Sequence, residues 1–139
     1  MAENGEGKVS ELDELRYMQQ VYQNQYAALN NSMSAQMQEV QMLGAVQRTF
    51  ESSDMLKGKE TLMHIGASVY IKTSIKDSSH AIVSVGGGYL VEKSVEEAKA
   101  YVSTAMTKKT ELVNKLAKSR KELQAALIEL SYKIESESR

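Results

Sequence analysis

The fold is decided by residues 12–50, LDELRYMQQVYQNQYAALNNSMSAQMQEVQMLGAVQRTF. Two rows of side chains recur here every seventh residue, with one row three residues ahead of the other. They are Leu12, Gln19, Tyr26, Met33, Val40 and Gln47, and Leu15, Tyr22, Leu29, Gln36, Leu43 and Phe50. Nine of these twelve positions are apolar or Tyr, which is typical of the a and d positions of a coiled coil. We therefore predict one helix over residues 9–56, about 70 Å long at ~1.5 Å per residue. Residues 1–8 are expected to form a flexible tail.

A second heptad pattern occupies residues 94–137. Its rows are Val95, Val102, Lys109, Leu116, Leu123 and Leu130, and Lys99, Met106, Val113, Arg120, Leu127 and Ile134. Ser94 and Glu97 have the spacing of a capping box at its start. Because the two helices are similar in length, we expect them to form an antiparallel coiled coil with both chain ends at one tip. Charge favours this pairing, since residues 1–56 carry 3 basic and 8 acidic groups and residues 94–139 carry 9 and 7.

Residues 60–93 change to a period of two, which predicts about four short strands in two β-hairpins. Gly86–Gly88 is expected to be a tight turn. Two hairpins of this size are not stable alone in water and need partners for their edges. We therefore assign the alternating apolar residues to subunit assembly, with a local core inside one chain as the alternative. They are Val69, Ile71, Ile75, Val83, Val85, Tyr89 and Val91.

Composition excludes several classes of function. The chain has 139 residues, no Pro and no Cys, so disulfide frameworks, Cys-ligated zinc and a thiol nucleophile are excluded. The two histidines, His64 and His80, do not make a metal site by themselves. No acidic pair can be placed in a cleft, so we predict no enzyme, no cofactor and no metal. The absence of a long apolar stretch and of a signal peptide predicts a cytoplasmic protein without membrane contact.

Residues 81–98 carry a more specific pattern, from Ala81-Ile82-Val83-Ser84-Val85-Gly86 through Gly87-Gly88-Tyr89-Leu90-Val91-Glu92-Lys93-Ser94 to Glu96-Glu97-Ala98. This pattern resembles the junction between the second hairpin and the C-terminal helix in alpha-class prefoldin subunits. Gly58-Lys59-Glu60 and Ser68-Val69-Tyr70-Ile71 also fit that family. One departure is His64, which stands where the family commonly has Pro.

The resemblance implies an α+β fold, namely a long antiparallel coiled coil with two central β-hairpins that form a β-barrel body on oligomerisation. It implies a hexamer of two alpha-class and four beta-class subunits. The expected function is that of an ATP-independent holdase, which captures unfolded polypeptides at the coiled-coil tips and delivers them to a group II chaperonin. The short chain suggests an archaeal origin.

Client binding requires accessible apolar side chains near the tip. Tyr17 and Val21 lie four residues apart off the seam of the first helix, and Ile128 and Tyr132 repeat this arrangement in the second. We predict that they contact unfolded clients together with their apolar neighbours, which are Leu12, Leu15, Met18, Tyr22, Leu127, Leu130 and Ile134. The alternative is that this cluster belongs to a wider coiled-coil core.

Two other functions are weighed against the holdase. The first is a coiled-coil scaffold of the same fold that docks fixed protein partners. The second is nucleic-acid binding through the basic residues of the second helix, which are Lys108, Lys109, Lys115, Lys118, Arg120 and Lys121. We favour a solvated helix face that pairs with the acidic first helix, because no aromatic stacking partners lie nearby. No nucleic-acid partner is therefore predicted.

Overall fold

A computed structural model describes the backbone of residues 2–138 and the side chains of residues 10–138. Over this range the chain forms two helices and four strands. They are α1 (Ala2–Leu56), β1 (Glu60–Gly66), β2 (Val69–Ser74), β3 (His80–Gly86), β4 (Tyr89–Ser94) and α2 (Val95–Glu137). This order confirms the predicted α+β class with two hairpins between two long helices.

The chain divides into two compact units. The terminal unit contains residues 1–38 and 110–139, and the central unit contains residues 39–109. The bounds of α1 include residues 2–8, which the sequence predicts to be a flexible tail. The side chains of residues 1–9 lie outside the described part of the structure, so the tail stays a prediction.

The heptad rows lie on the sheltered side of both helices. All twelve seam positions of α1 and all twelve of α2 are buried or half-buried, although many residues between them are exposed. Met33 of α1 and Leu130 of α2 are buried in the terminal unit. The Gln, Lys and Arg residues at seam positions follow the same pattern as the apolar ones. Heptad position therefore predicts burial in this chain better than side-chain polarity does.

In the terminal unit the two helices run antiparallel. The Gln19 amide donates a hydrogen bond to the Ser131 hydroxyl at 3.4 Å, and the Arg120 guanidinium donates to the Asn30 side-chain oxygen at 3.0 Å. From Gln19 to Asn30 the chain advances eleven residues, and from Ser131 to Arg120 it goes back eleven. The two bonds therefore set one constant register, and they confirm the predicted antiparallel pairing in this unit.

The central unit also brings the two helices together. Lys109 forms an ion pair with Glu39, and a Cβ atom at Gly44 would lie 3.9 Å from the Met106 methyl group. Ala98 and Val102 of α2 are buried in this unit. In the described part of the chain, four apolar side chains are buried, namely Met33, Ala98, Val102 and Leu130. The hydrophobic core of this part is therefore small.

Each hairpin forms its own two-stranded antiparallel sheet. Met63 pairs with Ile71 in the first sheet, and Val83 pairs with Val91 in the second. Both registers shift two residues before the turn, after His64 and after Ser84. The sequence placed Ile75 in a strand, but it lies beyond β2 and makes an isolated parallel bridge with Lys57.

The start of α2 is capped as its sequence predicts. The backbone N–H of Glu97 donates to the Ser94 hydroxyl at 3.1 Å, which satisfies one of the amide groups left free at a helix N-terminus. The N–H of Val95 donates to the carbonyl of Ser79 at 2.8 Å. The second bond connects the start of α2 to the turn that precedes β3.

The two hairpin turns share a backbone conformation but not a composition. Gly87 and Gly88 have φ angles of 61° and 79°, whereas Ala67 and Ser68 have φ angles of 46° and 62°. Two consecutive positive φ values are the mark of a type I′ turn, which favours Asn-Gly or Gly-Gly. A side chain with a Cβ costs roughly 1–2 kcal/mol per residue in this conformation. The first turn is therefore strained and the second is not.

We predict that Ser68→Gly stabilises the chain and that Gly88→Ala destabilises it. Relief of strain at position 68 should gain about 1 kcal/mol, partly offset by the greater freedom of Gly in the unfolded chain. A Cβ at Gly88 has no atom within 4 Å, so Gly88→Ala should lose about 1 kcal/mol through the backbone alone. Thermal unfolding of the three proteins measures both changes. A lower melting temperature for Ser68→Gly would contradict the assignment of strain.

Candidate functional surfaces

The terminal end of the helix pair, residues 10–22 of α1 with residues 127–138 of α2, contains all eleven residues that the sequence predicts to bind clients. The seam residues among them are half-buried or buried; they are Leu12, Leu15, Tyr22, Leu127, Leu130 and Ile134. Of the others, Tyr17 and Tyr132 are each 70% exposed and Ile128 is 53% exposed. Met18 is exposed, and Val21 is half-buried. The exposed residues are available to a partner, whereas the seam residues mainly hold the two helices together.

The off-seam pairs lie at one level along the helices but not on one face. The bond between Gln19 and Ser131 places the segment of Tyr17 beside the segment of Tyr132. Each tyrosine stands two residues from the seam positions on both sides of it, and therefore points away from the seam. Because the two seams face each other, the two tyrosines point in opposite directions. The terminal end thus presents two outward apolar faces instead of the single cluster that the sequence suggested.

The basic residues of α2 are paired differently from the prediction. Lys109 does form an ion pair with an acidic residue of α1, Glu39. Arg120 instead binds the side-chain amide of Asn30. Among the described side chains, the ion pairs include none made by Lys115, Lys118 or Lys121. The reason is local composition, because α1 has no charged residue between positions 17 and 38 at the level of these lysines.

The hairpins expose most of the apolar side chains that the sequence assigns to assembly. Val69, Ile71, Val85, Tyr89 and Val91 are exposed. Ile75 and Val83 are half-buried. In β3, the alternation predicted for one face is present, since Ala81 and Val83 are more sheltered than their neighbours. Little of this surface is covered within the chain, so a purely local core does not account for it.

The opposite faces of the hairpins are also apolar, and the sequence analysis missed this. Leu62 and Tyr70 are exposed on the first hairpin, and Ile82 and Leu90 are exposed on the second. They alternate with the residues assigned to assembly, so the signal was present in the two-residue period. In the registers, Tyr70 is opposite His64, and Leu90 is opposite Ser84.

A polar cluster at the base of the second hairpin joins Asp77, His80 and Glu92. The backbone N–H and the hydroxyl of Ser79 donate to one oxygen of Asp77 at 2.8 and 2.6 Å, and His80 Nδ1 lies 2.9 Å from the other oxygen. The side-chain and backbone hydrogen bonds from Ser79, with the bond to His80, hold the pKa of the Asp77 carboxyl well below its ordinary value. Ligand atoms of the three residues lie within 4.8 Å of one another. Asp77 is already engaged by Ser79 and His80, so stabilisation of the turn explains the cluster.

Comparison with known proteins decides the family. The family model for prefoldin subunits matches residues 15–139. The chain belongs to the prefoldin family. Its members are chaperones, not enzymes, and this chain is a prefoldin chaperone subunit. Prefoldin homologues act in oligomeric complexes with other prefoldin subunits. Within residues 2–138, neither helix has a segment apolar enough to cross a bilayer.

Relatives named as alpha subunits support the resemblance found in the sequence. The chain is 31% identical over 135 residues to prefoldin subunit alpha of Pyrococcus horikoshii, covering 96% of this chain and 88% of the relative. It is 38% identical over 109 residues to prefoldin subunit alpha of Thermococcus onnurineus, covering 73% and 68%. The cryo-EM structure of filamentous PFD from Methanocaldococcus jannaschii is similar with a TM-score of 0.56 and 25% identity, covering 84% of this chain and 92% of that one.

We predict that Asp77→Asn removes a stabilising charge whose effect depends on pH. The pKa of Asp77 is lower in the folded chain than the value near 3.9 expected when unfolded. Its contribution is therefore fully present above the unfolded pKa, and is lost as the pH falls below about 4. The difference in melting temperature between wild type and Asp77→Asn should be larger at about pH 7 than at about pH 3.

The matched control is Asp54→Asn. Asp54 is also an exposed aspartate, but the described hydrogen bonds that hold Asp77 have no counterpart at that position. Its substitution should leave the melting temperature nearly unchanged at both pH values. An Asp77→Asn difference that does not change with pH would contradict the role assigned to the charge.

Proposed function

We propose that this chain is a subunit of an ATP-independent holdase, which binds unfolded polypeptides at the terminal end of the helix pair and delivers them to a group II chaperonin. Two such chains and four beta-class subunits make up the proposed hexamer, with the hairpins joined in a β-barrel body. The cytoplasm is the proposed location. Assembly and capture both require apolar surface that one chain leaves uncovered, and the resemblance to alpha-class subunits supports the specific arrangement.

The hairpin surface supports the assembly part of the proposal. Each hairpin is a two-stranded sheet, so every strand has one edge without a partner strand. Unpaired edges and exposed apolar faces together favour strand pairing with another chain. Ile71 and Val91 are exposed near the middle of their strands, where an added sheet would cover them. Because Ile71 is 45% and Val91 39% exposed, covering the remainder is worth about 1 kcal/mol each.

The exposed apolar residues at the terminal end carry the capture part of the proposal. Heptad burial accounts for the sheltered apolar side chains at the seam, and off-seam residues elsewhere, such as Met42 and Met55, are also exposed. It does not account for Tyr17, Ile128 and Tyr132, which are off the seam and more than half exposed. Scattered apolar side chains bind another chain weakly and reversibly, and they stay below the patch size that causes self-association. A holdase requires this property.

We predict that the variant Tyr17→Gln, Ile128→Gln and Tyr132→Gln loses most of its ability to hold clients. The substitutions remove exposed apolar area and leave the half-buried Val21 and the seam intact. At equal concentration and without nucleotide, suppression of the aggregation of a chemically denatured client should fall severalfold. The reason is that the affinity for the client depends on burial of these apolar side chains. Light scattering measures this loss.

The matched control replaces three exposed methionines away from the terminal end, Met37→Gln, Met42→Gln and Met55→Gln. The control should hold clients as wild type does, and both variants should retain the wild-type native mass. Equal suppression by the tip variant and wild type would exclude the proposed binding site. If wild type itself fails to suppress aggregation but assembles normally, the scaffold with fixed partners becomes the better function.

We predict that Ile71→Asp together with Val91→Asp prevents assembly. Each substitution places a charge on the face assigned to subunit contacts, and a buried unpaired charge is strongly unfavourable. The dissociation constant of the complex with beta-class subunits should rise by at least about tenfold. Native mass measurement across a concentration series detects the change.

The control for assembly uses exposed polar residues of α2, Thr104→Asp and Asn114→Asp, which add the same charge away from both faces of the hairpins. These positions have polar side chains that are exposed, so the control should assemble as wild type does. Circular dichroism should report the same helix content in all three proteins. Normal native mass for the Ile71 and Val91 variant would mean that this face does not form the subunit contact.

A further inference from the structure

The terminal end of the helix pair is acidic as well as apolar. Residues 10–22 and 127–138 contain eight charged side chains. Six are acidic, namely Glu11, Asp13, Glu14, Glu129, Glu135 and Glu137, and two are basic, namely Arg16 and Lys133. The segment therefore has a net charge of -4, six negative against two positive, even though Lys133 forms an ion pair with Glu129 at 3.5 Å. The chain as a whole has a net charge of only -1.

These acidic residues share a helix face with the exposed aromatic residues. Asp13 and Glu14 stand four and three residues before Tyr17, and residues at these spacings are neighbours on a helix surface. On α2, Glu129 and Glu135 stand three residues before and after Tyr132. The same composition thus occurs on both outward faces, with a tyrosine, an aliphatic residue four positions away and two carboxylates beside the ring.

The remainder of the terminal unit has a different charge. Residues 17–38 of α1 carry no charge, and residues 112–121 of α2 carry four basic groups and no acidic one, Lys115, Lys118, Arg120 and Lys121. The negative charge is therefore concentrated beside the exposed tyrosines. A client segment that binds either outward face is therefore in a negative electrostatic potential. Further along α2 the potential becomes positive.

We propose that the terminal end selects unfolded segments in which basic residues alternate with apolar ones. This inference rests on the proposed function. The aliphatic stem of a Lys or Arg in the client can pack against the ring of Tyr17 or Tyr132. Its positive charge is attracted to the face of the same ring. Asp13 and Glu14 then lie close to a cation on Tyr17, whereas Glu129 on the other outward face already pairs with Lys133. An acidic client segment gains the same apolar contacts but is repelled by the carboxylates.

The size of the selectivity follows from exposure. All four carboxylates are exposed, so water and salt weaken their attraction over a Debye length of about 8 Å at physiological ionic strength. The preference should therefore be a factor of about five to ten at low salt and should nearly vanish at high salt. The apolar contacts, which salt does not screen, should persist under both conditions.

The test measures binding of fluorescent 20-residue peptides to the full-length chain in its native assembly. Three peptides have equal leucine content and carry lysine, glutamate or serine at the remaining positions. At about 50 mM salt the lysine peptide should bind about five- to tenfold more tightly than the glutamate peptide, and at about 500 mM salt the ratio should approach one. Asp13→Asn with Glu14→Gln should reduce the low-salt ratio about twofold to threefold.

The control neutralises two exposed carboxylates of the same unit that have no aromatic residue three or four positions away, Glu111→Gln with Glu122→Gln. It changes the net charge equally and should leave the ratio unchanged. Equal binding of all three peptides by wild type would overturn the selectivity and keep the holdase. An equal loss of preference in test and control variants would overturn the local role of the tyrosine faces. Failure to bind any peptide would overturn the holdase and the selectivity with it.

Discussion

The structure depends on the heptad seam of two helices that cannot be stable separately. A single helix with an apolar stripe as narrow as the one in α1 must cover that stripe with another helix in water. All seam positions of α1 and α2 are sheltered, including Gln19 and Arg120. Two cross-helix bonds in the terminal unit involve these polar seam residues. Polar groups at a seam favour one register over others, so the glutamines and the arginine contribute specificity where leucine would contribute stability.

The interface between the two helices uses only the two heptad rows of each helix. The side chains at the other positions are not needed for this interface and can contact other molecules. The outward position of Tyr17 and Tyr132 costs little, because the seam itself is complete without them. A globular domain would have to bury such residues in its core, whereas a two-helix pair keeps them exposed while remaining folded. This separation of stability from recognition suits the proposed capture of unfolded polypeptides.

The central unit is organised in the opposite way. Its hairpins have few buried side chains, and they expose apolar residues on both faces, such as Ile71 on one and Tyr70 on the other. A two-stranded sheet has no second layer and so cannot bury both of its faces by itself. The turn at Ala67 and Ser68 adds backbone strain. Prefoldin homologues act in oligomeric complexes, and the apolar surface left uncovered here supports the proposed assembly through the hairpins.

The sequence by itself determined the helices, the hairpins and the Ser94 cap, because each follows from a short-range period or a local hydrogen bond. The similar lengths of the two helices predicted their antiparallel pairing. It also identified the family through the pattern around Gly87-Gly88-Tyr89. Only the tertiary structure decided which side chains share a face or a partner. Lys115, Lys118 and Lys121 lie level with an uncharged part of α1, which net charges of whole segments cannot reveal. Glu92 meets Asp77 and His80 through the register of β3 and β4. Tyr17 and Tyr132 point apart because each lies on the side of its helix opposite to the seam. These relations join residues distant in the chain, so they depend on register and rotation, which local patterns do not encode.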